Sequence, residues 1–206
     1  MNREQMRNPP DLSPEPDSRS FVAGHSAVCS YKLPSYENDC PYQFACVSPL
    51  AAVIADTHMP RRARMLPEGL IPHLRRADLI LHAGDLVDPA LLEELSAYAR
   101  TRAVRGNLDP PEAGLPETLE FEFGGARVAM THDSGTKRGR RSRMRRRFPE
   151  ARVVVFGHSH IPWLEDKDGL LLLNPGSPTD RRRQPNHTFA LLQAEDGEVT
   201  AEILTL

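Results

Sequence analysis

The chain has 206 residues, with 26 basic and 28 acidic side chains and a formal net charge of −2, so one domain plus an appendage is the default reading. That near-neutral balance argues against a protein that coats nucleic acid, and no run approaches the roughly 18 apolar residues of a membrane-spanning helix. Hydrophobic residues make up 39% and prolines number 19, which fits one ordinary core joined to a stretch that packs poorly.

Residues 1–48 hold 6 of the 19 prolines, all three cysteines (Cys29, Cys40, Cys46), and 4 basic against 6 acidic side chains. Neither helical nor strand periodicity persists there. The expectation is a disordered or loosely packed N-terminal extension over 1–48, then a folded domain over 49–206. The polar, proline-rich start does not resemble a secretory signal. An odd cysteine count without a CxxC pair fits a reducing cytoplasm. Cysteine spacings of 11 and 6, with only His25 near them, match no zinc-finger pattern. A further expectation is that the natural protein begins near Val47, which an intact mass tests.

From residue 50 the pattern becomes regular. Residues 50–55 form an apolar run that reads as a buried strand, and 66–76 read as a helix with Pro67 in its first turn. Residues 79–82 read as a second strand. Residues 89–100 are the clearest helix, with Asp88 as N-cap and Leu91, Leu92, Leu95, Tyr98 and Ala99 on one face. A third strand is expected at 103–105. Strands at 119–123 and 127–131 flank Gly124 and Gly125, a hairpin signal. Strands at 152–156, 163–165, 170–173, 188–193 and 199–204 follow. Helices alternating with strands and then hairpins point to an α/β or α+β layered domain, with a mixed sheet or two sheets. There are no internal repeats.

Five of these apolar runs end in metal-competent residues: Asp56-Thr57-His58, Gly84-Asp85, Gly106-Asn107, Thr131-His132 and Gly157-His158-Ser159-His160. Ligands gather beyond the carboxyl ends of strands in open sheets. Five such ends in one sheet bring Asp56, His58, Asp85, Asn107, His132, His158 and His160 into one cleft. In an extended Asp-x-His both side chains point the same way, so Asp56 and His58 can chelate one ion. His158 and His160 obey the same rule and can share a cleft or serve two ions. Seven candidates exceed the needs of one tetrahedral ion. A mixed oxygen and nitrogen set without thiolate suits manganese, iron, zinc or nickel. Each piece alone is ordinary, since Gly-Asp and Gly-Asn are common turns; the order of all five is what carries the reading.

That ordered set, followed by Asn174-Pro175-Gly176-Ser177, resembles the calcineurin-like metallophosphoesterase superfamily, and most closely its small bacterial and archaeal phosphodiesterase branch. The resemblance covers roughly residues 50–206. It implies a four-layer αββα sandwich of two mixed β-sheets flanked by helices. It also implies two divalent ions, with manganese the first expectation and zinc, ferrous iron or nickel the others. The family pattern puts Asp56, His58, Asp85 and His160 on the first ion, and Asp85, Asn107, His132 and His158 on the second, with Asp85 bridging. Asp85, Asn107 and His132 are the expected catalytic residues. The implied function is hydrolysis of a small or nucleotide-like phosphodiester by a hydroxide activated between the two metals.

Three positions depart from the family. Leu108 stands where the superfamily often has a histidine that contacts phosphate and protonates the leaving group. Ala55 replaces a usual serine, and Asp133 a usual glycine. Arg61 and Arg62 follow the first metal loop and are the candidate substrate contacts, because arginine holds phosphate bidentately. His82 lies inside a strand and reads as a hydrogen-bonded support rather than a ligand. His73 and His187 have no motif context. Residues 137–147 hold eight basic side chains in eleven positions. They read as a solvated helix face, an electrostatic funnel for anionic diesters, or a nucleic-acid patch; the missing aromatics weaken the last. The alternative function is a weakly active or inactive scaffold on this fold, as in the retromer subunit that resembles the family. A phosphomonoesterase and a nuclease rank below both. The expected protein is cytoplasmic, has no membrane partner, and leaves self-association open.

Overall fold

A computed structural model describes residues 48–206. The expectations for 1–47, including the extension and the cysteines, lie outside the described residues. Ten strands form two five-stranded sheets, in the orders β10-β9-β1-β2-β3 and β4-β5-β6-β8-β7. In the first sheet β1 (Leu50–Ile54), β2 (Leu79–His82) and β3 (Arg100–Ala103) run parallel. The hairpin of β9 (Thr188–Glu195) and β10 (Glu198–Thr205) adds to them antiparallel. In the second, β5 (Ala126–Thr131), β6 (Val153–Val155) and β8 (Leu170–Asn174) are parallel. Its antiparallel edges are β4 (Thr118–Phe123) and β7 (Trp163–Lys167).

The layers follow from which faces are apolar. In β1 both faces are, so the strand is buried on both sides. Ala51, Val53 and Ala55 enter the core between the sheets with Leu81, Val128, Val155 and Leu192. Ala52 and Ile54 face outward into a second core. There they meet Leu74 of α1 (Ile71–Arg76) and Leu91 and Leu95 of α2 (Ala90–Ser96). On the far side, Met144 of α3 (Arg140–Arg147) and Phe148 cover Ala129, Val154 and Leu172 of the second sheet. The order is helix, sheet, sheet, helix, which is the expected sandwich. Among the described residues, no helix is long and apolar enough to cross a membrane.

Three elements differ from the sequence reading. The second helix spans Ala90–Ser96 rather than 89–100, and Arg100 already belongs to β3. Instead of 66–76, the first helix spans only Ile71–Arg76, because Pro72 has no N–H and is tolerated only in a first turn. Leu66 and Leu70 are buried all the same. The third strand lies at Arg100–Ala103 rather than 103–105. It is an edge strand with one neighbour, so Arg100, Thr101 and Arg102 tolerate solvent and gave no apolar signal.

Candidate metal centre

The five polar strand ends meet, but from two sheets and not one. Asp56, Asp85 and Asn107 follow β1, β2 and β3, while His132 and His158 follow β5 and β6. The two parallel sets point their carboxyl ends at a common rim. The loops are joined through backbone bonds: the Asp56 N–H donates to the Gly84 carbonyl and the His58 N–H to the Asp85 carbonyl, both at 3.0 Å.

The extended geometry expected for Asp-x-His is not what the chain adopts. Asp56, His58, Asp85, His158 and His160 all have φ between +48° and +67°. Non-glycine residues reach this left-handed region at a cost, and several together mark a site where surrounding structure holds strain for function. Of the five, Asp56, His58, Asp85 and His160 are buried and His158 is exposed. Asp56, His58 and His160 offer ligand atoms within 4.8 Å of one another, as do Asp56, Asp85 and His132. Asp56 thus belongs to both triads. Asp85 also straddles them: its Oδ2 lies 3.2 Å from His58 Nε2 and 3.5 Å from His132 Nε2. His158 and His160 diverge. His160 is buried beside Asp56, whereas His158 is exposed, with Nδ1 2.9 Å from Asn107 Oδ1 and 3.3 Å from His132 Nε2.

The tautomers are set from outside the cluster. His132 Nδ1–H donates to the Ala83 carbonyl at 2.7 Å, His58 Nδ1–H to Asp180 Oδ2 at 3.1 Å, and His160 Nδ1–H to the Asp180 carbonyl. With Nδ1 so engaged, each ring turns Nε2 toward the cluster, where it takes a cation or, without one, a proton, an arrangement typical of metal-binding imidazoles. Asp56 Oδ2 and His160 Nε2 are buried with no hydrogen-bond partner. Buried orphan acceptors are costly, and these two converge on ligand atoms of the same chemistry. A divalent cation satisfies them all, so the residues fit the group.

The charges agree. Burial pushes the Asp56 carboxyl up to about 7, with Asp85 adding repulsion and His132 and His58 pulling the other way. Burial also opposes the Asp85 carboxylate, but hydrogen bonds from His132, His58 and the Leu108 N–H hold it well below the usual carboxylate range. Against the burial of His58 and His132, Asp85 raises both above the ordinary imidazole range. Burial drops His160 to about 4.

Sequence reasoning missed two supports. Asp109 is buried; its Oδ2 accepts the N–H groups of Asp85 (2.9 Å) and Gly106 (2.8 Å), and its Oδ1 that of Val87 (2.8 Å). One carboxylate thereby binds the loops after β2 and β3. An aspartate two residues after Gly-Asn is a turn signal, and its partners across the sheet are not visible in sequence. Asp180 orients His58 and His160 and lies 3.4 Å from Arg62 Nε. His82 is wholly buried and neutral, lowered to about 3 chiefly by burial. Its Nδ1 accepts the Gly84 N–H and its Nε2–H donates to Thr57 Oγ1, the supporting role expected for it. Asn174 donates to the Gly157 carbonyl and Ser177 to that of Asp56, so that motif braces two ligand loops.

Arg61 and Arg62 are exposed, and Arg62 reaches Asp180. A cavity of about 280 Å³ opens instead beside Asn107, His132 and His158, with Arg105, Glu117, Asp133 and Arg147 on its walls. A larger one of about 590 Å³, near α1 and β9–β10, touches none of the cluster. Leu108 is 41% exposed, and its backbone N–H donates to Asp85 Oδ1.

The calcineurin-like phosphoesterase superfamily domain matches residues 50–197. The chain belongs to that superfamily. A probable metallophosphoesterase of Methanothermobacter thermautotrophicus is 37% identical over 159 residues, covering 75% of this chain and 91% of the relative. One from Methanocaldococcus jannaschii is 37% identical over 150 residues, covering 71% and 77%. Vps29 of Entamoeba histolytica, solved in complex with zinc, is 25% identical with a TM-score of 0.63, covering 76% of this chain and 98% of that one. As a metallophosphoesterase domain, this chain carries its candidate ligand groups at the rim where the two sheets' parallel strands end.

Asp180→Ala removes the orienting bond to His58 but leaves the carbonyl bond to His160. We expect manganese affinity to fall about 10–100-fold while the circular dichroism spectrum is unchanged; equilibrium dialysis checks this.

Proposed function

We propose that the chain is a divalent-metal-dependent phosphodiesterase acting on a small or nucleotide-like phosphodiester. The observation that carries this is the set of three imidazoles, each tied at Nδ1 and presenting Nε2 beside two buried carboxylates. In this reading Asp56, His58, Asp85 and His160 hold one ion. Asp85, Asn107, His132 and His158 hold the other, with manganese the expected metal. Two such cations supply Lewis acidity and a water activated near neutral pH. Asp56 and Asp85 give the seat its negative charge. Asp180 and Ala83 fix the imidazoles, and Asp109 keeps the Asp85 loop from moving. The exposed Asn107 and His158 form the open side from which a diester approaches. The odd cysteine count supports a cytoplasmic setting.

The test is hydrolysis of bis(4-nitrophenyl) phosphate against 4-nitrophenyl phosphate with added manganese. Faster cleavage of the diester is expected; a clear preference for the monoester overturns the assignment. Leu108 supplies no proton to a leaving oxygen, so turnover is expected to fall steeply from aryl to alkyl diesters. Rates that ignore leaving-group acidity would contradict that. Leu108 also favours the second reading, a scaffold with weak turnover or none. Bound metal without hydrolysis of any diester would select it.

Metal binding is expected to weaken in acid. Asp56, raised to about 7, stays protonated below that pH, and a cation must displace the proton. Affinity for manganese should therefore rise with pH through about 7, about tenfold per unit for each proton released, and go on rising while His58 and His132, also raised, give up theirs. A dissociation constant that is flat across this window counts against Asp56 as a ligand.

A further inference from the structure

The basic run at 137–147 is not one solvated face. Arg141 bonds Glu165 and the Lys167 and Leu170 carbonyls, Arg143 bonds the Ser134 and Thr136 carbonyls, and Arg145 bonds those of Ala151 and Asp168. These three hold α3 and its flanking loops in place. Lys137 and Arg140 do something else, apart from one long bond (3.5 Å) from Arg140 to the Gly135 carbonyl. They line a cavity of about 140 Å³ with Ser159, Ile161 and Trp163. Ser159 sits between His158 and His160, so this cavity adjoins the loop that carries two of the candidate ligands.

Both cations are fixed by aromatic rings. Lys137 Nζ is 4.6 Å from the Trp163 ring centroid, and Arg140 Cζ lies 5.3 Å from Trp163 and 4.8 Å from the buried Phe156. Stacking of this kind holds a guanidinium in place without neutralising it. Among the described residues, no carboxylate forms an ion pair with either. Of the nearby acids, Glu165 is taken by Arg141 and by the Trp163 indole N–H, and Asp133 accepts the Gly135 N–H. Arg140 Nε is buried without an acceptor. The cavity on the other side of His158 differs. There Arg105 is paired with Glu117, and a second carboxylate, Asp133, lies on the wall with Arg147.

We propose that Lys137, Arg140 and Trp163 form a seat for a phosphate group that the substrate carries in addition to its scissile diester. A volume near that of four or five waters suits one such group against an apolar wall. Two cations without an ion-pair partner favour a dianion over a neutral group, although Asp133 and Glu165 stand near enough to act on Arg140. The substrate class is then a phosphorylated diester of the nucleotide type. This rests on the diesterase reading and deepens it.

Trp163 is the only tryptophan in the chain, so its emission reports the seat directly. The full chain is titrated with adenosine 5′-monophosphate, and separately with adenosine. Chelator is present so that the metal centre offers no competing anion site. The nucleotide is expected to change the emission saturably and adenosine is not. Lys137→Glu is expected to weaken the nucleotide about tenfold or more, and Lys137→Arg to restore most of the affinity. No saturable change with the nucleotide overturns the seat. So does an equal response to adenosine, or unaltered affinity in Lys137→Glu. Saturable nucleotide binding by a protein that hydrolyses no diester overturns the diesterase reading and leaves the seat as a phosphate site.

Discussion

Asp85→Ala is expected to lose at least one divalent ion and nearly all hydrolysis. The carboxylate is 2% exposed, and its Oδ2 lies within 3.2 Å of His58 Nε2 and 3.5 Å of His132 Nε2. Removing it takes away the group that both halves of the cluster share and the negative charge that raises both imidazoles. Losing one ligand and leaving the remaining charges unpaired costs several kcal/mol, of order 3–5, enough to empty the affected seat at micromolar metal. Asp85→Asn keeps the shape and an oxygen ligand but loses the charge, so an intermediate metal affinity is expected. The check is metal content by mass spectrometry beside the rate on an aryl diester. Two tightly held ions in Asp85→Ala would contradict the assignment.

Gly106→Val is expected to do comparable damage from a position that touches no metal. A Cβ at Gly106 falls 2.1 Å from Asp85 Oδ1 and 2.2 Å from the Asp85 backbone nitrogen. Backbone cannot yield as the end of a side chain can, so the loop after β2 must move. Doing so breaks the bonds of the Asp85 and Gly106 N–H groups to Asp109. Overpacking of this kind costs about 1–3 kcal/mol, occasionally more, and the loss of two buried bonds adds to it. Thermal unfolding is expected to shift down and metal content to fall together. An unshifted melting curve with full metal content would show that the close approach does not constrain Asp85.

Much of the fold was legible because its strands are buried on both faces. A continuous apolar run such as 51–54 has one strong reading when a polar ligand loop follows it. The edge strand Arg100–Ala103 carried no such signal, and Pro72 shortened a helix whose apolar spacing continued through Leu66 and Leu70. The seven candidate ligands were legible as an ordered set, yet the reason they converge was not. Alternation along an extended strand places Asp56 and His58 on one side, but the chain reaches that result through left-handed turns. Asp109 and Asp180 act through bonds to loops 24 and 122 residues away. Nothing local in sequence marks such partners. The basic run was legible only as charge; its division into loop-holding arginines and two unpaired cations depends on which carbonyls, carboxylates and rings lie across from it.

Manganese stoichiometry, measured by equilibrium dialysis of the purified full chain at pH 8, tests the shared role of Asp85 most directly. Two ions per chain are predicted for the natural sequence, and no more than one for Asp85→Ala. A natural chain that holds neither manganese, zinc, iron nor nickel, with His58, His132 and His160 intact, would contradict it.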